Sequence, residues 1–500
     1  MSAGRREWVG LAVLALPTLL VTMDLSVLFL AVPKLSRDLE PTSSELLWIG
    51  DIYGFLIAGC LITMGTLGDR IGRRRLLLIG AAAFAVASVV AAFSTSAGML
   101  IAARAGLGVA GATLAPSSLA LIRNMFEDDR QRGLAIAIWI SCFAAGAAIG
   151  PLIGGVLLAQ FWWGSVFLPN VPVMAILLVL GPTLLPESRD PNPGRLDLLS
   201  ASMSLASVLA VIYGVTRTAE HGIGRVALVS IVAGLAIGIA FLRRQRRLAY
   251  PLIDLRLFKS ATFVAAFTAM LVSVFVISGS DLFVAQYLQL VHGSNPFIAG
   301  LWLLPGVIGL IVGSMVTPLL VRWCPAGSLV AAGLVLATGG LIFLAQLREG
   351  STLALLVTGT TLLGLGLGPV GALGTDIVVA AAPPERAGAA SALSETATEF
   401  GGALGIAILG SIGTAIYRDT LSDGVPQGVP SRAADAAHDT LGGAVRAAVH
   451  VPGPIGHDLL EAARSAFTHG FEIAVLVAAA VSAAMALAAV LALRAAPIES

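Results

Sequence analysis

Runs of about twenty apolar residues recur along the whole chain, and no other feature constrains its folding as much. A helix needs about 20 such residues to cross roughly 30 Å of hydrocarbon. Leu76–Phe93, Gly133–Leu158, Val226–Leu242 and Ile473–Leu493 are runs of this kind. Apolar runs between turn or charge punctuation number fourteen. They lie near 8–31, 45–67, 76–95, 97–122, 133–159, 163–185 and 196–216, then 224–242, 261–289, 297–322, 327–347, 352–380, 387–416 and 468–494. With 57% hydrophobic and 12% charged residues, the chain lacks the charge that a soluble protein of 500 residues carries on its surface. The expected fold class is an all-α membrane protein. A formal net charge of +1 argues against a nucleic-acid partner.

Arg5 and Arg6 precede an apolar stretch from Trp8 to Ala31 that contains Asp24. It is longer than the apolar region of a signal peptide, so it reads as a retained first span. An even number of spans puts both termini on one side. With that side inside, twenty Lys and Arg residues fall in cytoplasmic segments and nine in outer ones; Arg104 falls within a span. This bias predicts cytoplasmic termini in the cell inner (plasma) membrane. Cys60, Cys142 and Cys324 have no metal-ligand spacing and read as packing residues. The one long outer loop, at about 417–467, has helix-like patterning over 431–449 and 455–467 with Pro452-Gly453-Pro454 between them, which predicts a short external hairpin.

Four stretches carry more than hydropathy. After span 2 come Gly65, Asp69, Arg70, Gly72, Arg73, Arg74 and Arg75. The glycines allow a tight turn, Asp69 can accept from a nearby helix N-terminus, and the arginines can hold the loop at an anionic inner leaflet. Span 4 buries Arg104, which is costly unless it meets a cavity or a partner. Span 5 carries Gly146, Gly150, Pro151, Gly154 and Gly155, small residues at four-residue spacing with a proline that permits a bend. Acids lie within the spans: Asp24, Asp51, Asp281, Glu395 and Glu399. Trp48, Asp51 and Phe55 share a helix face suited to a flat cation. Ser391, Glu395 and Glu399 form a stripe spaced by four. A carboxylate there is costly when charged, so it can alternate between a proton and a cation. Asp376, near the inner end of span 12, reads as interfacial.

These stretches, with Met23–Pro33 and Pro383-Pro384-Glu385-Arg386-Ala-Gly388, make the sequence resemble the fourteen-helix drug:proton antiporters of the major facilitator superfamily over essentially its whole length. It departs from them at Leu107, where the family often has Gln, and at Phe29, where it often has Asn. The resemblance implies a 6+2+6 arrangement in two pseudo-symmetric bundles: residues 1–190, two inserted helices at 191–258, and residues 259–500. Span 1 then corresponds to span 9, setting Asp24 and Asp281 on opposite sides of a central cavity. It also implies proton coupling through Asp24, Arg104, Glu395 and Glu399, and substrate binding by Asp24, Trp48, Asp51, Phe55, Asp281, Glu395 and Glu399. The glycine-rich stretches of spans 2 and 5 would serve conformational change. The expected activity is proton-driven export of hydrophobic, mainly cationic compounds by a monomer, with small-molecule drug-like cations, protons and the bilayer as partners. Export of an endogenous lipid or metabolite is the alternative. An enzyme or sensor is remote, since no nucleophile–base constellation, metal cluster or nucleotide loop is legible, and no cofactor is expected.

Overall fold

Hydrocarbon offers no water to a backbone N–H or C=O, and a helix satisfies both within its own segment. A computed structural model describes residues 4–493 apart from 42, 190–196, 222–223, 249–250, 252, 254, 295, 382–386 and 452–453. Among the described residues all regular structure is helical. The first six helices are α1 (Arg5–Leu39), α2 (Ser43–Ile71), α3 (Arg73–Ala92), α4 (Ala97–Met125), α5 (Asp129–Gln160) and α6 (Asn170–Leu184). Two more follow, α7 (Leu198–His221) and α8 (Arg225–Gln245). Then come α9 (Ala261–Gln286, continued by a π-turn over Tyr287–Val291), α10 (Pro296–Leu320), α11 (Ala326–Leu344), α12 (Leu353–Ala380) and α13 (Ala387–Gly424). The last are α14 (Ser431–Asp439), α15 (Leu441–Ala448) and α16 (Pro454–Leu493). Side-chain caps fix several starts: Ser96 accepts from the Met99 N–H at 3.2 Å, and Asp128 from that of Gln131 at 2.9 Å.

Among the described residues thirteen helices are long and apolar enough to span a membrane. Among the fourteen expected spans α7 falls short, with an apolar stretch of only Leu199–Val211 among the described residues. Ser200, Ser202, Ser204 and Ser207 dilute it, and Ser207 Oγ donates to the Gly234 carbonyl of α8 at 2.8 Å. A polar helix of this kind is tolerated where a neighbour satisfies it.

Two apolar clusters organise the rest. One joins α1–α6 through residues such as Leu14, Tyr53, Phe84, Leu107 and Met174. The other joins α9–α16 through Phe283, Leu334, Leu363, Leu459 and Phe471. Between the two groups α2 packs on α13, α5 packs on α10, and α7 touches both α2 and α13. Val208 and Ala58 meet Phe55 and Phe400 at that junction.

The 417–467 segment differs from the expected loop with a separate hairpin. The helix of span 13 continues to Gly424, and α16 starts at Pro454 and runs unbroken to Leu493, so residues 455–467 begin the last span. Pro452 and Gly453 lie outside the described residues. Ala437, Leu441 and Ala444 form one apolar face over α14 and α15, buried in the second cluster with Leu459 and Ala463. Tyr417 Oη donates to the Ala437 carbonyl at 2.6 Å. Burial of that face makes the segment part of the core.

Candidate functional site

Buried charge on a spanning helix needs a partner, and α1 and α4 supply one for each other. Arg104 Nη1 lies 2.5 Å from Asp24 Oδ2, with both side chains almost wholly buried. The remaining guanidinium donors are also used: Nε donates to the Ile49 carbonyl at 2.9 Å and Nη2 to that of Gly50 at 3.2 Å, both on α2. The Tyr53 ring lies 4.7 Å from the guanidinium carbon, and its hydroxyl donates to the Val21 carbonyl at 3.2 Å. On the other side Asn170 Nδ2 donates to Asp24 Oδ1 at 3.3 Å and to Ser88 Oγ at 3.1 Å. One ion pair thus ties together α1, α2, α3, α4 and α6. Its planar fork suits arginine and would not suit lysine.

The other acids sit differently. Asp281 opens onto a cavity of about 240 Å³ between α5, α9, α10 and α12. Its walls are otherwise largely apolar, with Ala144 and Ala147 from α5, Leu303 and Val307 from α10, and Thr360 the other polar residue. Glu395 is buried on α13, and Glu399, one turn on, is half-buried. Among the described residues Asp281, Glu395 and Glu399 make no hydrogen bond or ion pair with protein groups. Each is a carboxyl group that a proton or a bound cation can neutralise. The expected equivalence of Asp24 and Asp281 does not extend to their surroundings: Asp24 is sealed against an arginine, and Asp281 faces open space.

Trp48 and Phe55 share a face of α2, their ring centroids 6.4 Å apart and nearly perpendicular, and Trp48 is 41% exposed. The side chain of Asp51 lies outside the described residues. So do the side chain of Pro151 and residues 383–386 of the stretch before α13.

In span 5 the glycines let α5 lie against α1. A Cβ on Gly146 would stand 2.2 Å from the Leu19 carbonyl oxygen, and one on Gly154 2.8 Å from Val27. Gly150 is buried, whereas Gly155 faces open space. The expected loop after span 2 shrinks to one residue, Gly72, at φ +109°; a side chain there would also strike Glu187. Gly65 and Asp69 are buried on α2, and Arg70 is half-buried at its end.

Two of the arginines expected at the lipid surface point inward instead. Arg73 is fully buried and pairs with Asp69 at 2.8 Å. Arg74 Nη1 donates to the carbonyls of Pro182 and Leu185 at 3.1 and 2.9 Å. The cause is the end of α6, whose last carbonyls lack helical donors and take them from Arg74.

Sequence reasoning missed a connection at this same end of the bundles. Arg132 of α5 pairs with Asp376 of α12 at 3.0 Å, and Arg123 of α4 donates to the carbonyls of Val379 and Ala380. In the sequence the arginines read only as positive charge, and Asp376 only as interfacial. Asp376→Asn is expected to weaken this connection by about 1 kcal/mol, roughly a fivefold change in the population with the ends of α4 and α12 apart. Spin-label distances between the ends of α4 and α12 would measure it, and an unchanged distribution would contradict it. Asn170 was missed as well, although an amide inside the apolar run after Trp163 was a signal to weigh.

A family model described as Major Facilitator Superfamily matches residues 14–406. The chain is 45% identical over 475 residues to the multidrug efflux pump LfrA of Mycolicibacterium smegmatis, covering 95% of this chain and 94% of that one. It is 36% identical to the methyl viologen resistance protein SmvA of Salmonella typhimurium, covering 94% of each. A tetracenomycin C resistance and export protein of Streptomyces glaucescens is 33% identical, with 99% of this chain and 93% of that one covered. Among solved structures the human organic anion transporter MFSD10 has a similar fold, with a TM-score of 0.61 at 15% identity, covering 95% of this chain and 99% of that one.

Proposed function

The chain belongs to the major facilitator superfamily, and from that premise we propose that it is a proton-coupled multidrug exporter of hydrophobic, mainly cationic compounds. One observation carries the reading: three carboxyl groups, Asp281, Glu395 and Glu399, lie within the bundles with no protein counter-ion among the described residues. A cation entering a cavity of reduced dielectric gains most from such groups. The names of the relatives, a multidrug efflux pump and a methyl viologen resistance protein, support the same substrate class.

In this reading the basic end of the molecule, with Arg73, Arg74, Arg123 and Arg132, faces the cytoplasm, and both termini lie there. Residues 1–190 and 259–500 act as two rocking bundles, with 191–258 inserted between them. Asp24 and Arg104 form the proton-coupling pair. A proton arriving on Asp24 removes the charge that holds Arg104, and Arg104 in turn holds the α2 backbone next to Trp48. Protonation thereby reaches the aromatic face that contacts substrate. Glu395 and Glu399 exchange a proton for a cation, and Asp281 adds a second charge. Trp48, Asp51 and Phe55 offer the flat surface, and a single chain suffices.

The test uses purified protein in proteoliposomes loaded to set a pH gradient, with ethidium as substrate. Uphill ethidium movement is expected with the gradient, to vanish when an ionophore collapses it, and to be indifferent to ATP. Uphill movement in the absence of any ion gradient would remove proton antiport.

A further inference from the structure

Asn170 stands at the first position of α6, held between Pro169 and Pro172, and is wholly buried. Its Nδ2 is used twice, toward Asp24 Oδ1 and Ser88 Oγ. Its Oδ1 is equally buried and accepts no hydrogen bond among the described residues. A buried amide oxygen without a donor is costly, so its presence points to another state in which it is used.

That state follows from the chemistry of the group opposite. A carboxylate only accepts hydrogen bonds, whereas a carboxylic acid also donates one. When Asp24 takes a proton, the Asn170 N–H groups face a donor. A half-turn of the amide about its terminal torsion replaces Nδ2 by Oδ1 at the same place. Ser88 Oγ, which accepts now, can donate equally well and serves either orientation.

We infer that Asn170 is a positioning residue that follows the protonation state of Asp24, donating to its carboxylate through Nδ2 and accepting from its acid form through Oδ1. The proton comes from the outer solution, binds a carboxylate oxygen of Asp24 without passing to Asn170, and leaves to the cytoplasm later in the cycle. The charged and titratable groups around Asp24 are few. Arg104 faces it from α4 and Tyr53 from α2, and Glu399 of α13 is within electrostatic reach of the Tyr53 ring. Between Gly133 and Gln160 α5 has no charged side chain, only the Cys142 thiol, and α6 has no charged side chain at all. Among the described residues an uncharged amide is therefore the polar partner of Asp24 on the α6 side.

This inference rests on the proton-coupled reading above. The full-length protein in proteoliposomes is assayed for ethidium efflux at a fixed pH difference over a series of outside pH values. Asn170→Ala removes the bond to either form, and because the bond to the charged carboxylate is the stronger, the midpoint is expected to move to higher pH, by up to about one unit or a tenfold change in proton concentration. Asn170→Ser, of similar size but with a hydroxyl that donates or accepts, is expected to recover most of the shift. Asn170→Asp keeps the shape of the side chain and leaves no cavity but sets a second carboxyl beside Asp24, so that the two share one proton, and is expected to lose at least tenfold in driven efflux. A wild-type profile in the Ala or Asp variant, or equal shifts in Ala and Ser, would overturn the assignment. Asp24→Asn separates the two levels. Undiminished pH-driven efflux in that variant removes proton coupling through Asp24. Its loss alongside a wild-type Asn170→Ala profile removes only the role given to Asn170.

Discussion

Arg104→Ala is expected to lose pH-driven efflux by about a hundredfold or more at normal protein levels in the membrane. The side chain makes one ion pair and two bonds to α2 carbonyls, and alanine removes all three. Breaking a buried pair by removing one partner costs about 3–5 kcal/mol, because the other charge is left uncompensated. Asp24 cannot remain ionised in such a place without a counter-ion. It then stays neutral throughout the cycle and carries no proton per turn. Arg104→Lys is the informative control. Lysine restores the charge but has no planar fork to reach Asp24, Ile49 and Gly50 together. It should restore coupling only in part. Efflux by the alanine variant within twofold of wild type would make Arg104 an anchor for α2 and nothing more.

Asp281→Asn is expected to divide substrates by charge. Asp281 faces the cavity without a partner among the described residues, so its carboxylate can meet a second positive charge on a ligand. At an effective dielectric of about 20, two unit charges 4 Å apart interact by about 4 kcal/mol, of which water in the cavity removes a part. Export of a dication such as methyl viologen should fall at least tenfold, and export of the monocation ethidium about twofold or less. Glu395→Gln and Glu399→Gln should instead reduce driven export of both, since these acids lie one above the other on α13 and serve every cation. Matched assays of the two dyes, normalised to protein in the membrane, make the comparison. Equal losses for both charge classes in Asp281→Asn would end the division of labour.

The helices are legible in the chain's hydropathy alone, and for a physical reason. Hydrocarbon leaves a backbone few alternatives, so an apolar run such as Ala326–Leu344 becomes a helix whatever surrounds it. The same pattern marks the acids and Arg104, because a charge within an apolar run stands out whatever it later pairs with. The α7 segment was harder, since its serines hide a helix that α8 and the two bundles support. The 417–467 segment was harder still. It is short in apolar residues, and its burial depends on a surface assembled from α13, α16 and their neighbours.

Which charges meet depends on how the helices pack. Asp24 and Arg104 are 80 positions apart, Asn170 lies 146 from Asp24, and Asp376 lies 244 from Arg132. Helical periodicity fixes which residues share a face of one helix. It does not fix how far that helix is turned toward its neighbours, or how deep it sits beside them. Those two variables come from the summed packing of many side chains, including close approaches such as Gly146 against Leu19. They set Asp24 against an arginine and Asp281 against open space, although the two acids occupy similar places on their helices.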